Sequence, residues 1–166
     1  DDPIIGNKKN PITIVAFEDF GCPGCQAQTA LFDELISKHR KRVKVVWKGL
    51  PVTQFPHPTE QAQIYGYCAN RQGKFEVFKT MAFENITKLS AATLERIVID
   101  INADRTAFDA CLQSGDAQLY VDKVKQVAQM LNVQAVPTVF VDSKQVTPPH
   151  SVEGWEHLLG IDYAIE

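Results

Sequence analysis

Ile12-Thr13-Ile14-Val15-Ala16-Phe17-Glu18-Asp19-Phe20-Gly21-Cys22-Pro23-Gly24-Cys25 is the stretch that decides the fold. Its first half is apolar and β-branched, which reads as a buried central strand over residues 12–18. Beyond Cys25, apolar residues recur at helical spacing (Ala27, Ala30, Leu31, Leu35, Ile36), so residues 23–38 read as a helix. A two-cysteine turn between a strand and a helix is the setting in which a C-x-x-C motif signals redox chemistry. Cys22 then stands at the helix N-terminus, where free backbone N–H groups and the helix dipole favour thiolate over thiol and lower its pKa. Cys25 lies one turn on, close enough to close a disulfide and less exposed. Pro23 suits the first helical turn, where its missing N–H has no partner to lose. The competing use of such a motif is half of a zinc site, which wants a second ligand pair. The remaining cysteines, Cys68 and Cys111, are single and have no histidine at ligand spacing.

Outward from this stretch, Asp1 to Asn10 reads as an arm or leading edge strand. The basic run Lys38-His39-Arg40-Lys41-Arg42 reads as cationic punctuation at a helix C-terminus, with a docking patch as the alternative. Residues 43–49 form a second apolar strand, and strand–helix–strand at this length implies a parallel pair with a right-handed crossover. From Pro51 the pattern changes. Pro51, Pro56 and Pro58 break the chain, and helical patterning then runs near 59–71, 74–84, 91–101, 104–113 and 116–131. Ser90 or Ala91 and Asp104 are candidate N-caps, and Gly73 and Gly115 candidate breaks. The β-branched run Ile97, Val98, Ile99 and Ile101 competes for strand, but its charged neighbours and flanking caps favour helix. Strands return over 138–142 and 145–147, with a turn at Ser143-Lys144. A final helix is expected after Gly154, including Trp155, Leu158, Leu159 and Tyr163. The layout is a small α/β sheet with helices on both faces, interrupted by a helical block.

Composition narrows the function. The chain has 166 residues, 17 basic against 20 acidic, and a net charge of −3, which argues against nucleic acid as a partner. An apolar share of 45% suffices for a full core, and no apolar run approaches the roughly 20 residues of a membrane helix. The start Asp1-Asp2-Pro3, without Met, reads as a processed chain whose leader has been removed. Four cysteines point towards an oxidising compartment.

The chain resembles the DsbA-like thiol–disulfide oxidoreductases. The resemblance rests on Pro3-Ile4-Ile5-Gly6-Asn7, on the strand and Cys22-Pro23-Gly24-Cys25, and on Leu50-Pro51 followed by His57-Pro58. It continues through Cys68 with Gln72-Gly73-Lys74-Phe75, Phe108 with Cys111-Leu112 and Ser114-Gly115, and Val136-Pro137-Thr138 before Phe140-Val141. It implies a thioredoxin-like fold over residues 1–55 and 116–166 with an inserted α-helical subdomain over 56–115. It implies that Pro137 is cis and faces the disulfide, exposing the backbone of Val136 for a substrate strand to pair with. Valine before this proline is the choice of the oxidising members. Some relatives carry a cysteine pair at the matching motifs, which favours a Cys68–Cys111 disulfide over two buried thiols acting as small hydrophobes.

Two departures from the family pattern bear on mechanism. The buried acid usual six positions before the first cysteine is replaced by Ala16, and Glu18, on the same strand face, can substitute; the other reading makes Glu18 or Asp19 a loop or cap residue. The histidine that strongly oxidising relatives carry in the dipeptide is Gly24 here, so Cys22 should be less acidic and its disulfide less oxidising than theirs.

The implied activity is insertion of disulfides into secreted or periplasmic proteins through Cys22 and Cys25, by a monomer needing neither cofactor nor metal. Partners would be unfolded or partly folded cysteine-containing proteins and a membrane or soluble protein that reoxidises the dithiol. The alternatives are a reductase or isomerase on the same fold, a thioredoxin-fold metal carrier or chaperone, and a glutathione-dependent transferase, a class that usually lacks the C-x-x-C pair. Phe20 and residues 51–58 are candidates to flank a shallow apolar groove, with core and loop packing as the competing reading. His57 reads as the lead into a helix or as a proton-steering group; His39, His150 and His157 carry no assigned chemistry.

Overall fold

The computed structural model describes residues 1–161. Its centre is a five-stranded sheet in the order β1-β3-β2-β4-β5. The strands are β1 (Ile4–Ile5), β2 (Ile12–Glu18), β3 (Val43–Gly49), β4 (Thr138–Val141) and β5 (Lys144–Val146). β2 and β3 run parallel, with Ala16 opposite Trp47, and every other pairing is antiparallel. The parallel pair is joined by α1 (Pro23–Lys38). Five helices lie between β3 and β4: α2 (Glu60–Arg71), α3 (Phe75–Glu84), α4 (Ala91–Asp100), α5 (Arg105–Ser114) and α6 (Asp116–Met130); α7 (Val152–Leu159) follows β5.

Alternation along β2 sorts its side chains between two cores. Ile14 and Ala16 join Val43, Val45, Trp47 and Val139 in the larger core, under Phe32 and Leu35 of α1 and the aromatic residues of α2 and α3. Val15 and Phe17 face the other side, where Val124 and Ala128 of α6 cover them. The helices start where their caps dictate. Ser90 Oγ accepts from Thr93 N–H at 3.2 Å and Asp104 Oδ1 from Ala107 N–H at 2.9 Å. In α4 the β-branched run resolves as helix because Leu94, Ile97 and Val98 bury one helical stripe while Ile99 stays 71% exposed.

Two expected boundaries move. The hairpin turn is Asp142-Ser143, not Ser143-Lys144; both residues have positive φ, as a two-residue turn between twisted strands requires. The last helix begins at Val152 rather than after Gly154, because Ser151 Oγ accepts from Gly154 N–H at 2.9 Å and sets the N-terminus there. Gly154 is needed because a Cβ would stand 2.8 Å from Pro149 Cβ. Tyr163 lies outside the described residues. The basic run ends α1 as expected, but His39 is fully buried and its Nε2 lies 2.8 Å from Glu156 Oε2, with Lys38 Nζ donating to Glu156 Oε1 at 2.9 Å. These contacts fasten α1 to α7.

Candidate active site

Cys22 is the N-cap of α1, and its sulfur accepts the Cys25 N–H at 3.1 Å. Pro23 occupies the first turn. Cys22 is half-buried and Cys25 fully buried, and both are free thiols in this structure. The Cys25 thiol and the backbone N–H groups of Cys25 and Gly24 stabilise a Cys22 thiolate, against partial burial and the charge of Asp19, and pull its pKa from 9.0 down to about 7. Burial, the Cys22 sulfur and Glu18 push Cys25 the other way, so it stays a thiol. One thiol lowered and one raised result from a three-residue step along a single helix.

The Val136–Pro137 bond is cis, and the Cys22 thiol donates to Val136 O at 3.7 Å. A Cβ on Gly24 would stand 3.4 Å from Pro137 Cδ and 3.8 Å from Cys22 Sγ, so Gly24 and Pro137 form one wall around the sulfur. Beside them runs a crevice of about 520 Å³ lined by Gly24, Ala27, Leu31, Pro137, Pro148 and His150. His150 escaped sequence reasoning because the loop that carries it reaches the site only through the fold.

Glu18 ends β2 fully buried, with neither carboxylate oxygen in a protein hydrogen bond among the described residues. Burial drives its carboxyl well above the ordinary carboxylate range; the Cys25 thiol and the Lys79 ammonium oppose that shift, and charge on Cys22 adds to it. Glu18 is therefore neither a loop nor a cap residue. Asp19 is structural. Its carboxylate accepts from Val52 N–H at 3.0 Å, Thr53 N–H at 2.9 Å, Thr59 Oγ1 at 2.8 Å and Gln63 Nε2 at 3.2 Å, while its own N–H points at Cys25 Sγ, 3.4 Å away.

Phe20 does not flank a surface groove. It is fully buried, stacked on Trp47 at 5.0 Å and edge-on to Phe78 at 5.6 Å. The 51–58 segment does lie alongside, since a Cβ on Gly21 would meet Thr53 Cγ2 at 2.6 Å, and Phe55 within it is 88% exposed. His57 sits half-buried in the bend before α2. Away from this site, Cys68 and Cys111 form a disulfide between α2 and α5, with Cα atoms 5.8 Å apart. Among the described residues no cluster of three or more His, Cys, Asp or Glu side chains could hold a metal ion, and no helix is long and apolar enough to cross a membrane.

Comparison with known proteins places this geometry. The family model described as Thioredoxin matches residues 1–160. The catalytic domain of Proteus mirabilis ScsC superimposes with a TM-score of 0.81 at 19% identity, covering 96% of this chain and 87% of that one. The thiol-disulfide exchange protein alpha-DsbA2 from Wolbachia pipientis does so with a TM-score of 0.84 at 16% identity, covering 96% and 86%. Among curated proteins, the Na(+)/H(+) antiporter NhaA 3 of Salinispora tropica is 27% identical over 155 residues; the match takes in 92% of this chain and 23% of that protein.

Proposed function

The chain belongs to the thioredoxin family, with a DsbA-like arrangement of its fold, and from that premise we propose that it passes the Cys22–Cys25 disulfide to cysteine-bearing proteins as a mild oxidant. The observation that carries the reading is the asymmetry of the pair: Cys22 acidic and reachable, Cys25 buried and held as a thiol. A substrate thiolate attacks Cys22 Sγ, Cys25 leaves, and a second substrate thiolate resolves the mixed disulfide. Glu18 supplies the proton that the departing Cys25 thiolate needs, since a buried thiolate is costly and the neutral carboxyl stands against it. Val136 offers its backbone to the substrate strand beside the sulfur, and the crevice beyond Pro137 takes apolar side chains. The Cys68–Cys111 disulfide supports an oxidising, extracytoplasmic setting.

Mildness follows from Gly24. A stabilised thiolate favours the reduced protein and makes its disulfide a better oxidant, and no cation in the dipeptide adds to the backbone donors. The same feature favours the reductase or isomerase as second reading, since a thiol at about 7 is shared by reducing members of the fold. The antiporter activity named for the curated relative is not carried over, because the match covers 23% of that protein.

The test is transfer to a reduced, unfolded substrate protein. Oxidised wild type is expected to lose one disulfide for every two substrate thiols that disappear, and reduced Cys25→Ser, mixed with the disulfide-bonded form of the substrate, to form mixed disulfides through Cys22 that it cannot resolve. Transfer that survives Cys22→Ser would overturn the reading.

A further inference from the structure

The pole of the molecule opposite Cys22 is built from two adjoining turns. β2 starts there at Ile12 and ends beside the active site at Glu18, about 20 Å on, and α1 returns to the same pole at Lys38. The turn before β2 and the turn before β3 are bound to each other. Asn10 Nδ2 donates to Arg40 O and to Val43 O, both at 2.8 Å; Ile12 N–H donates to Arg42 O at 2.9 Å; Lys44 Nζ donates to Lys8 O at 2.8 Å. Residues 6–12 and 38–46 hold seven of the chain's 17 basic residues and none of its 20 acidic ones. Lys38 is taken up by Glu156. Of the others, Lys8, Lys9, Arg40 and Lys41 are exposed, and Arg42 and Lys44 half-buried. The acids that share the flanking crevices are Asp142 on one side and Asp33 and Glu76 on the other, and Asp33 is paired with Lys79. In a chain of net charge −3, this pole is a strong local excess of positive charge.

Beside the cations the surface is apolar. α6 leaves a crevice of about 440 Å³ against the start of β2, lined among others by Pro11, Thr13, Val15, Phe140 and Leu131. At the end of α6 Met130 is 83% and Leu131 49% exposed. Exposed apolar side chains next to lysines and arginines are the two-part pattern of interfacial binding: the apolar groups enter the boundary of headgroups and acyl chains, and the cations meet anionic headgroups. A polyphosphate offers the cations a partner and the apolar groups none, so the combination favours a lipid surface over a nucleic acid.

We propose that this pole docks the protein on an anionic phospholipid bilayer, with Lys8, Lys9, Arg40 and Arg42 against the headgroups and Met130 and Leu131 in the interface. The lengths of β2 and α1 then hold Cys22 on the far side, open to solvent and substrate. The docking uses no part of the active site, so it does not rest on the direction in which the dithiol works.

The test is co-sedimentation of the whole chain with lipid vesicles. With phosphatidylglycerol and phosphatidylcholine in equal parts the protein should pellet. With phosphatidylcholine alone it should stay in solution, and about 0.5 M salt should release it from the anionic vesicles. The triple variant Lys8→Gln/Lys9→Gln/Arg40→Gln keeps the backbone acceptors of both turns. It should weaken partitioning about a hundredfold, at about fivefold for each cation, with disulfide exchange on a soluble peptide unchanged. Met130→Trp should shift its emission to the blue on anionic vesicles only, over a constant background from Trp47 and Trp155, which are buried. Cys22 of the reduced, bound protein should alkylate as fast as in solution. Equal binding to the two kinds of vesicle, a triple variant that binds as wild type does, a Trp emission that does not move, or a Cys22 shielded on vesicles would each overturn the proposal. Capture by heparin without binding to vesicles would also overturn it and give the patch to a soluble polyanion.

Discussion

At the scale of single residues, the site is a set of opposed titrations. Cys22 is lowered to about 7 from 9.0 in the folded chain. Between those values the unfolded chain binds more protons, so the reduced protein gains stability as pH rises from about 7 and levels off above 9. Because the side chain is half-exposed, solvent screening leaves about 1 kcal/mol of this. Urea unfolding of reduced wild type against Cys22→Ser, repeated across pH, checks it. Glu18 has the opposite sign. Its raised pKa means that the folded chain keeps a proton the unfolded chain has lost, so stability falls as pH climbs above 4.5. Glu18→Gln should match wild type in stability below that pH and exceed it increasingly above; a constant difference would contradict the burial account. Gly24 has room for a larger side chain, its nearest neighbour being Pro137 Cδ at 3.4 Å from a built Cβ. Gly24→His should place a cation beside the thiolate, lower the Cys22 pKa below about 7, and raise the potential by about 30 mV per unit lowered. Thiolate absorbance and redox titration read the two effects together.

At the scale of elements, the active-site turn is held from below by Asp19, which ties the end of β2 to residues 52–63 through four hydrogen bonds. Asp19→Ala strands those donors and should cost about 3 kcal/mol, with exchange slowed because Cys22 loses a fixed neighbour; thermal unfolding beside a single-turnover rate measures both. Most elements were legible in the sequence, because their signals are local: period-two and period-3.6 patterns, and caps at Ser90 and Asp104. What was not legible depended on contacts across the chain. Phe20, beside a cysteine motif, reads as either rim or core, and its packing onto Trp47 decides for the core. Glu18 reads from sequence as either an acid or a cap, and only its burial at the end of β2 decides between them. Lys79 and Thr29 read as ordinary members of a helix, and only the structure shows Thr29 buried and Lys79 reaching across to Asp33 of α1. His39 gave no signal because its partner, Glu156, lies 117 positions away.

At the scale of the whole molecule, a reactive pair on a small sheet is braced by helices that arrive from between its strands. The Cys68–Cys111 disulfide closes a 43-residue loop within those helices, and the chain-entropy model assigns it up to about 4 kcal/mol. The double variant Cys68→Ala/Cys111→Ala should lose about 2–4 kcal/mol while its Cys22–Cys25 pair still exchanges; loss of exchange in a variant that remains folded would show that the block tunes the site. Denaturing alkylation after mild reduction of the active site should label two cysteines per chain, since the described structure holds two free thiols, and four labels would contradict the disulfide. The central claim is that this dithiol is poised to give away its disulfide. Equilibration of the Cys22–Cys25 pair with a glutathione redox buffer, read by alkylation, tests it most directly. The account predicts a potential near or above that of glutathione; a value well below it would contradict the oxidant reading and make the protein a thioredoxin-like reductant.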